Sequence, residues 1–256
     1  MVDEVEQLFP GMIEITDPFA MPTIAQIASY IASTRQETRL QPITLPKAYV
    51  LHQSSLQAKS SNVRLEYIFK AEELSRLHAL ARQLDVNLMS VGATAFAYML
   101  FLIGAPSNLP LCLHLQNDGV HEYTFKFEKV SDFAEYIGQV NQSIKTDSVF
   151  HTLDQLRQQP VTLQEQERLP LFCDASLLLV RKDWLQLFDL VVLAEEKEQY
   201  FKIMLEFNHH RLQRTAMEEW WSNLIRFMQF LLQQANGEEK HLNEQVTSSG
   251  GTGGSQ

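Results

Sequence analysis

Residues 64–106 read RLEYIFKAEELSRLHALARQLDVNLMSVGATAFAYMLFLIGAP, and the change of hydrophobic period along them decides the fold class. Residues 64–70 alternate, with Leu65, Tyr67 and Phe69 on one face, which predicts a strand. Residues 71–84 switch to helical spacing. Leu74, Leu77, Ala81 and Leu84 share one stripe, and Glu72 and Glu73 occupy the first turn, where the helix dipole favours negative charge. Val86-Asn87 breaks that helix. Residues 88–102 are then apolar nearly all round, which predicts a helix buried on every side, and Gly104-Ala105-Pro106 ends it.

Downstream, residues 109–116 alternate, Asn117-Asp118-Gly119 is a turn, and His121, Tyr123, Phe125 and Phe127 share one face of a returning strand, so a hairpin is expected. Ser131 is placed to cap a helix through Ile144, and a shorter helix is expected over 151–158 with Pro160 beyond it. Strands are expected at 171–180, 187–193 and 200–207. A last helix over 214–234 carries Met217, Trp221, Leu224, Ile225, Met228, Leu231 and Leu232, and Gly237 is taken as its stop. The chain has no internal repeat. Mixed strand and helix runs with hairpin-like neighbours indicate an α/β layered fold, a mixed sheet with packed helices.

Upstream, residues 1–35 hold two helix-start signals, Asp17-Pro18 and Pro22-Thr23, and Ile24, Ile27, Ala28 and Ile31 follow at helical spacing. Residues 36–62 form the expected linker: Pro42 and Pro46 bracket Ile43-Thr44-Leu45, and serine-rich stretches follow. The main domain is expected at 63–236, and 237–256 as a flexible Gly/Ser-rich tail.

The composition limits the function classes. Of 256 residues 45% are hydrophobic and 20% charged, enough to bury a core. A net charge of −10 disfavours a nucleic-acid backbone or an anionic membrane as main partner, because both repel such a field. Cys112 and Cys173 are too few for a disulfide scaffold and sit in apolar runs as buried thiols. The acidic N-terminus is unlike a signal peptide, and the longest apolar region, 91–103, is short for a bilayer span, so a cytoplasmic setting is the expectation.

The ordered series of motifs resembles a known family. Residues 64–234 resemble the C-terminal half of a condensation domain from a nonribosomal peptide synthetase, a superfamily similar in fold to chloramphenicol acetyltransferase and built from two like halves. Leu65-Glu66-Tyr67-Ile68-Phe69 with Glu72-Glu73-Leu74 resembles the strand and helix that open that half, and Asn87-Leu88-Met89-Ser90-Val91 leads into its buried helix. Arg168-Leu169-Pro170-Leu171-Phe172 resembles the family's Asn-Pro-Leu-Phe-Gln stretch, with Leu169 and Cys173 as departures. Asp189-Leu190, residues 201–208 and Arg214-Thr215 resemble the closing strands and helix. The first 35 residues resemble the tail of a carrier (thiolation) domain, with Asp17-Pro18-Phe19 and Pro22-Thr23-Ile24-Ala25-Gln26-Ile27-Ala28 following the pattern Phe-x-x-Pro-Thr-Ile-x-x-Leu-Ala. The resemblance also implies what is missing: the carrier motif Gly-x-Asp-Ser-Leu, whose serine bears phosphopantetheine, and the motif His-His-x-x-x-Asp-Gly, whose second histidine acts as base.

Each candidate site has a plainer reading. His209-His210 has Arg214 and Thr215 where the base motif has Asp and Gly, so it is expected to be a solvated turn. Cys112 and His114 share a face of the hairpin, with His121 nearby, but the further ligands a metal needs are lacking. Trp220 and Trp221 are candidate partner-interface residues, together with Phe19 and Ile24 of the carrier-like segment; helical spacing turns one Trp inward and leaves the other half exposed. No nucleophile elbow or phosphate loop is present.

The expected function is that of a truncated carrier/condensation-like component of a nonribosomal peptide or hybrid polyketide assembly line, non-catalytic, without cofactor or metal, and acting by protein–protein contact. A half-fold leaves apolar edges and faces, so its expected partners are assembly-line carrier or condensation domains, or a second copy of itself. The alternative is an amide-forming acyltransferase half, active only with a separately encoded N-terminal half.

Overall fold

In a computed structural model the chain divides into two compact units, residues 1–40 and 41–256. The structure describes residues 40–51, 62–115, 119–128, 130, 132–152, 155–156, 163–164, 166–179 and 187–249. The carrier-like segment expected at 1–35, with Phe19 and Ile24, lies outside the described residues, as do 52–61, Asn117-Asp118 and 250–256.

The second unit runs β1 (Ile43–Thr44), a 3-10 turn (Lys47–Tyr49), β2 (Asn62–Lys70), α1 (Glu72–Gln83), α2 (Leu88–Leu102), β3 (Asn108–His114), β4 (Gly119–Lys126), α3 (Phe133–Asp147) and β5 (Val149–Thr152). It continues through β6 (Glu167–Arg168), β7 (Pro170–Asp174), a 3-10 turn (Ala175–Leu179), β8 (Leu190–Lys197), β9 (Tyr200–Asn208) and α4 (Arg214–Ser249). Seven strands form one mixed sheet in the order β2-β9-β8-β7-β3-β4-β5, and β1 pairs with β6 in a separate ribbon. The β3–β7 and β7–β8 pairs are parallel, the others antiparallel.

The core lies where the helices meet one face of this sheet. Phe69, Leu111, Phe125, Phe172, Val192 and Leu205 face inward from six strands and join the helical residues in one apolar cluster. At its centre is α2, with eleven of its fifteen residues buried. The Asn87 side chain starts that helix by accepting the Ser90 N–H at 2.7 Å. Gly92 lets the sheet come close: a Cβ there would stand 2.9 Å from the Phe172 ring. Trp220 of α4 lies edge-on to Phe96 at 5.7 Å, and its Nε1–H donates to the Met99 carbonyl at 3.1 Å. No single helix among the described residues is long and apolar enough to cross a membrane.

Several expected boundaries move, each for a local reason. His151 and Thr152 do not start a helix; they end β5, with His151 paired to Val120. Helix α3 is capped by Asp132, whose Oδ1 accepts the Ala134 N–H at 2.8 Å; Ser131 lies outside the described residues. The strand expected to reach 180 stops at Asp174, because its carboxylate accepts the N–H and hydroxyl of Ser176 and turns the chain. Strand β8 starts at Leu190 and extends to Lys197. Gly237 does not stop α4: one glycine costs a helix about 1 kcal/mol relative to alanine, too little to end one flanked by Gln, Ala, Glu and Lys. Residues 41–51 of the expected linker are a packed strap, with Ile43 and Leu45 fully buried, Leu45 N–H bonded to the Gln166 carbonyl, and Gln213 N–H to the Tyr49 carbonyl.

The centre of this core sets a stability test. Truncating Trp220 to alanine empties a site of 1% exposure and orphans the Met99 contact, so urea unfolding is expected to show a loss of about 3–5 kcal/mol. A loss under about 1 kcal/mol is inconsistent with this packing.

Candidate functional site

Strand register sorts the polar residues onto two faces. Leu113 pairs with His121 on the helix-covered face, whereas Cys112 pairs with Glu122 and therefore lies on the other. On that second face His114 neighbours Cys173 of β7, and His151 neighbours Val120. Cys112, His114, Glu122, His151 and Cys173 are all buried, so a polar seam crosses three internal strands and reaches the edge strand β5. This placement separates the three residues weighed for a metal: Cys112 and His114 share the seam, and His121 faces the helices, its Nδ1 3.1 Å from the Ser148 hydroxyl and its ring 5.1 Å from Phe150. Among the described residues no group of three or more His, Cys, Asp or Glu is placed to hold a metal.

The seam has a defined protonation chemistry. The Gly119 carbonyl can only accept, so the 2.6 Å contact to His114 Nδ1 puts a hydrogen on that nitrogen and fixes the tautomer. Burial pushes the Cys112 thiol well up, with the Glu122 charge adding to it, and burial likewise raises Cys173. Both stay protonated at neutral pH, so neither is a ready nucleophile. Glu122 is different. Burial lifts its carboxyl from 4.5 to about 7, and only the Gln41 N–H, donating to Oε2 at 2.7 Å, works in the opposite direction.

A second polar centre ties the strap to the sheet. Arg211 donates to Asp189 Oδ1 at 2.7 Å, and Arg168 Nη2 donates to the Arg211 carbonyl at 2.8 Å. Burial raises Asp189, and the charges of Arg211 and Arg168 pull it back. The Leu51 N–H also ends on the Arg211 carbonyl, so the turn after β9 is held from three directions.

That turn contains His209 and His210. Both are half-buried rather than solvated, with ring centroids 4.1 Å apart and the His210 N–H on Asn208 Oδ1 at 3.0 Å. The tryptophan expectation is corrected. Trp220 is 1% and Trp221 7% exposed, and both belong to the core cluster, because α4 is covered by α1 and α2 along that stripe. The second sheet face is not bare among the described residues: Leu171, Val191 and Leu193 are buried there. Among the described residues the exposed large apolar ones are Leu51, Leu102, Val149, Phe150 and Phe230, of which Val149 and Phe150 are consecutive on the edge strand β5.

Sequence reading missed Glu122, His151, Asp189 and Arg211. One signal was available: Glu122 is a charge between two ring-bearing residues, His121 and Tyr123, within a strand.

Glu122 makes the seam testable. Between about pH 4.5 and 7 the native state keeps a proton that the unfolded chain has lost. The Glu122 contribution to stability therefore falls as pH rises through this window and is flat above it. Glu122→Gln keeps an acceptor for Gln41 and removes the titration. Its stability in urea unfolding is expected to fall much less than the parent's between pH 5 and 8. At pH 8 it is expected to exceed the parent's by a few kcal/mol, since each pH unit of that window is worth about 1.4 kcal/mol. Identical pH profiles for the two proteins would contradict the buried placement.

Comparison with protein-family profiles gives no match, and comparison with curated proteins gives none. Solved structures do match. The cyclization-docking bidomain of the nonribosomal peptide synthetase EpoB from Sorangium cellulosum aligns at a TM-score of 0.59 and 12% identity, over 80% of this chain and 48% of that one. The X-domain from teicoplanin biosynthesis aligns at 0.58 and 13%, over 82% and 55%. A structure of condensation domain-mediated chain release from the enacyloxin polyketide synthase aligns at 0.50 and 13%, over 82% and 47%. The chain spans about half the length of these three structures. With its mixed seven-stranded sheet and helices on one face, the chain has a condensation-domain-like fold.

Proposed function

We propose that this chain is a condensation-domain-like component of a nonribosomal peptide or hybrid polyketide assembly line, acting by contact with carrier or condensation domains rather than by forming an amide bond itself. The observation that carries this reading is the setting of the only adjacent histidine pair. His209 and His210 sit in a turn locked by Asn208 and by the Arg211–Asp189 ion pair, and Arg214 opens a helix where an acid would be needed. A base must reach its substrate proton with its ring held in place, and the position that supplies a carboxylate in the base motif is filled here by a guanidinium. The thiols of the seam are held protonated, so neither is a ready nucleophile.

The fold supports the assembly-line setting and leaves the reaction open. One architecture serves cyclization in one neighbour and chain release in another, so function follows from the site. Phe19 and Ile24 remain the proposed contact residues of the carrier-like segment, and self-association is the competing use of that contact. A second reading is motivated by the half-length match: an acyltransferase half that forms amides when paired with a separately encoded N-terminal half.

The experiment combines the purified chain with coenzyme A and a phosphopantetheinyl transferase, and then with acyl- and aminoacyl-loaded carrier domains. The expected results are no gain of the phosphopantetheine mass and no amide product, with retention of a loaded carrier or condensation domain on the immobilised chain. Amide formation by the chain alone that is lost in His209→Ala or His210→Ala overturns the reading. Amide formation only after a second, N-terminal-half protein is added replaces it with the second one.

A further inference from the structure

We propose that the cleft between α1, the α1–α2 turn and the end of β8 binds a small molecule carrying a carboxylate or phosphate on a short apolar body. The cleft measures about 440 Å³, within the range of small-molecule sites, and its floor includes Ala81 and Leu88, 6% and 2% exposed. His78, Arg82, Asn87 and Glu196 stand around it.

The walls are preformed. The Val86 N–H bonds the Ala81 carbonyl at 2.9 Å and the Asp85 N–H the Arg82 carbonyl at 3.2 Å, with Asp85 in the left-handed region at φ 53°. His78 Nε2 stands 3.2 Å from Glu196 Oε1, which joins the helix wall to the strand wall.

The available hydrogen-bonding groups are mostly donors. Arg82 uses Nε on the His78 carbonyl at 3.3 Å, and among the described residues its two Nη groups make no further bond. Asn87 has committed Oδ1 to the Ser90 N–H, which leaves the donors of Nδ2. Glu196 is the one acidic side chain among the lining residues, and its Oε1 faces His78. Two open donor groups beside an apolar floor complement an oxyanion with a hydrocarbon body, and a guanidinium favours carboxylate or phosphate. Neither Arg82 nor Glu196 takes part in the packing of the core or in the seam, so this site is independent of the functional reading above.

The test is a nitrogen–proton NMR titration of the full chain with hexanoate, hexyl phosphate and hexylammonium. Saturable shifts are expected at Arg82 Nε–H and at the amides of 85–88 with one or both anions and not with the cation; which anion binds identifies the headgroup. Arg82→Gln is expected to weaken binding roughly tenfold or more, the effect of losing a charge-assisted donor. Glu196→Gln is expected to bind at least as tightly as the parent, since it removes a like charge. Spectral dispersion verifies folding of both variants. Absence of saturable shifts at millimolar anion, equal binding of hexylammonium, unchanged affinity in Arg82→Gln or a comparable loss in Glu196→Gln each overturn the proposal.

Discussion

The packing of α2 against the inner sheet face is the constraint on which the other elements depend. A helix with apolar residues all round cannot present any side to water, so it must be enclosed on all of them. The sheet encloses it from below through Phe172, which approaches because Gly92 has no side chain in the way. Helix α4 encloses it from another side through Trp220, whose indole N–H also satisfies a backbone carbonyl of α2. Helix α3 meets it through Ser90, whose hydroxyl donates to the Asn141 side chain at 2.7 Å. A single residue type at each contact, glycine, tryptophan and serine, sets how near each neighbour comes.

The two faces of the sheet are built on different terms. The helical face is apolar, and its stability follows from area removed from water. The second face carries a seam of two thiols, two imidazoles and a carboxyl, with charged pairs such as Lys202–Glu195 at 2.9 Å towards β9. Burying Glu122 costs more when it is ionised than when it is protonated, so this face lowers stability at neutral pH. The strap of residues 41–51 links both regions: Gln41 meets the seam, and the Arg168–Asp189–Arg211 centre fixes the strap to the turn after β9.

The part of this arrangement that depends on periodicity was legible in the sequence. Strand β2, helix α1 and helix α2 appear within one or two residues of their expected bounds, because alternation and the 3.6-residue stripe record which side is buried. Elements decided by a tertiary partner were not legible. His151 belongs to a strand only because β4 is there to pair with it, and residues 41–51 pack only because β6 and the turn after β9 receive them. Trp221 could not be assigned from spacing alone, since the stripe of α4 is wide enough to bury both tryptophans once two helices cover it. The polar seam was hidden for a similar reason: Cys112, Glu122 and His151 come from strands whose register is set by pairing, not by local pattern.

The position of the polar groups also sets the adjacent histidines apart from the seam. A pair of imidazoles attracts attention by residue type, yet chemistry depends on what orients the ring and what reaches it. Around His209 and His210 the His210 N–H meets Asn208 Oδ1 and the Arg211 N–H the Asn208 carbonyl, so the backbone of the turn is held at Asn208. The seam, by contrast, contains a carboxyl raised towards neutrality, two thiols kept neutral and an imidazole whose Nδ1 is held by the Gly119 carbonyl. Polar groups that violate the inside-apolar rule persist where a fold tolerates their cost. In this chain that cost is concentrated on the second face of the sheet, and the residues that define it are contributed by β3, β4, β5 and β7, not by the turn that the sequence first brings to notice.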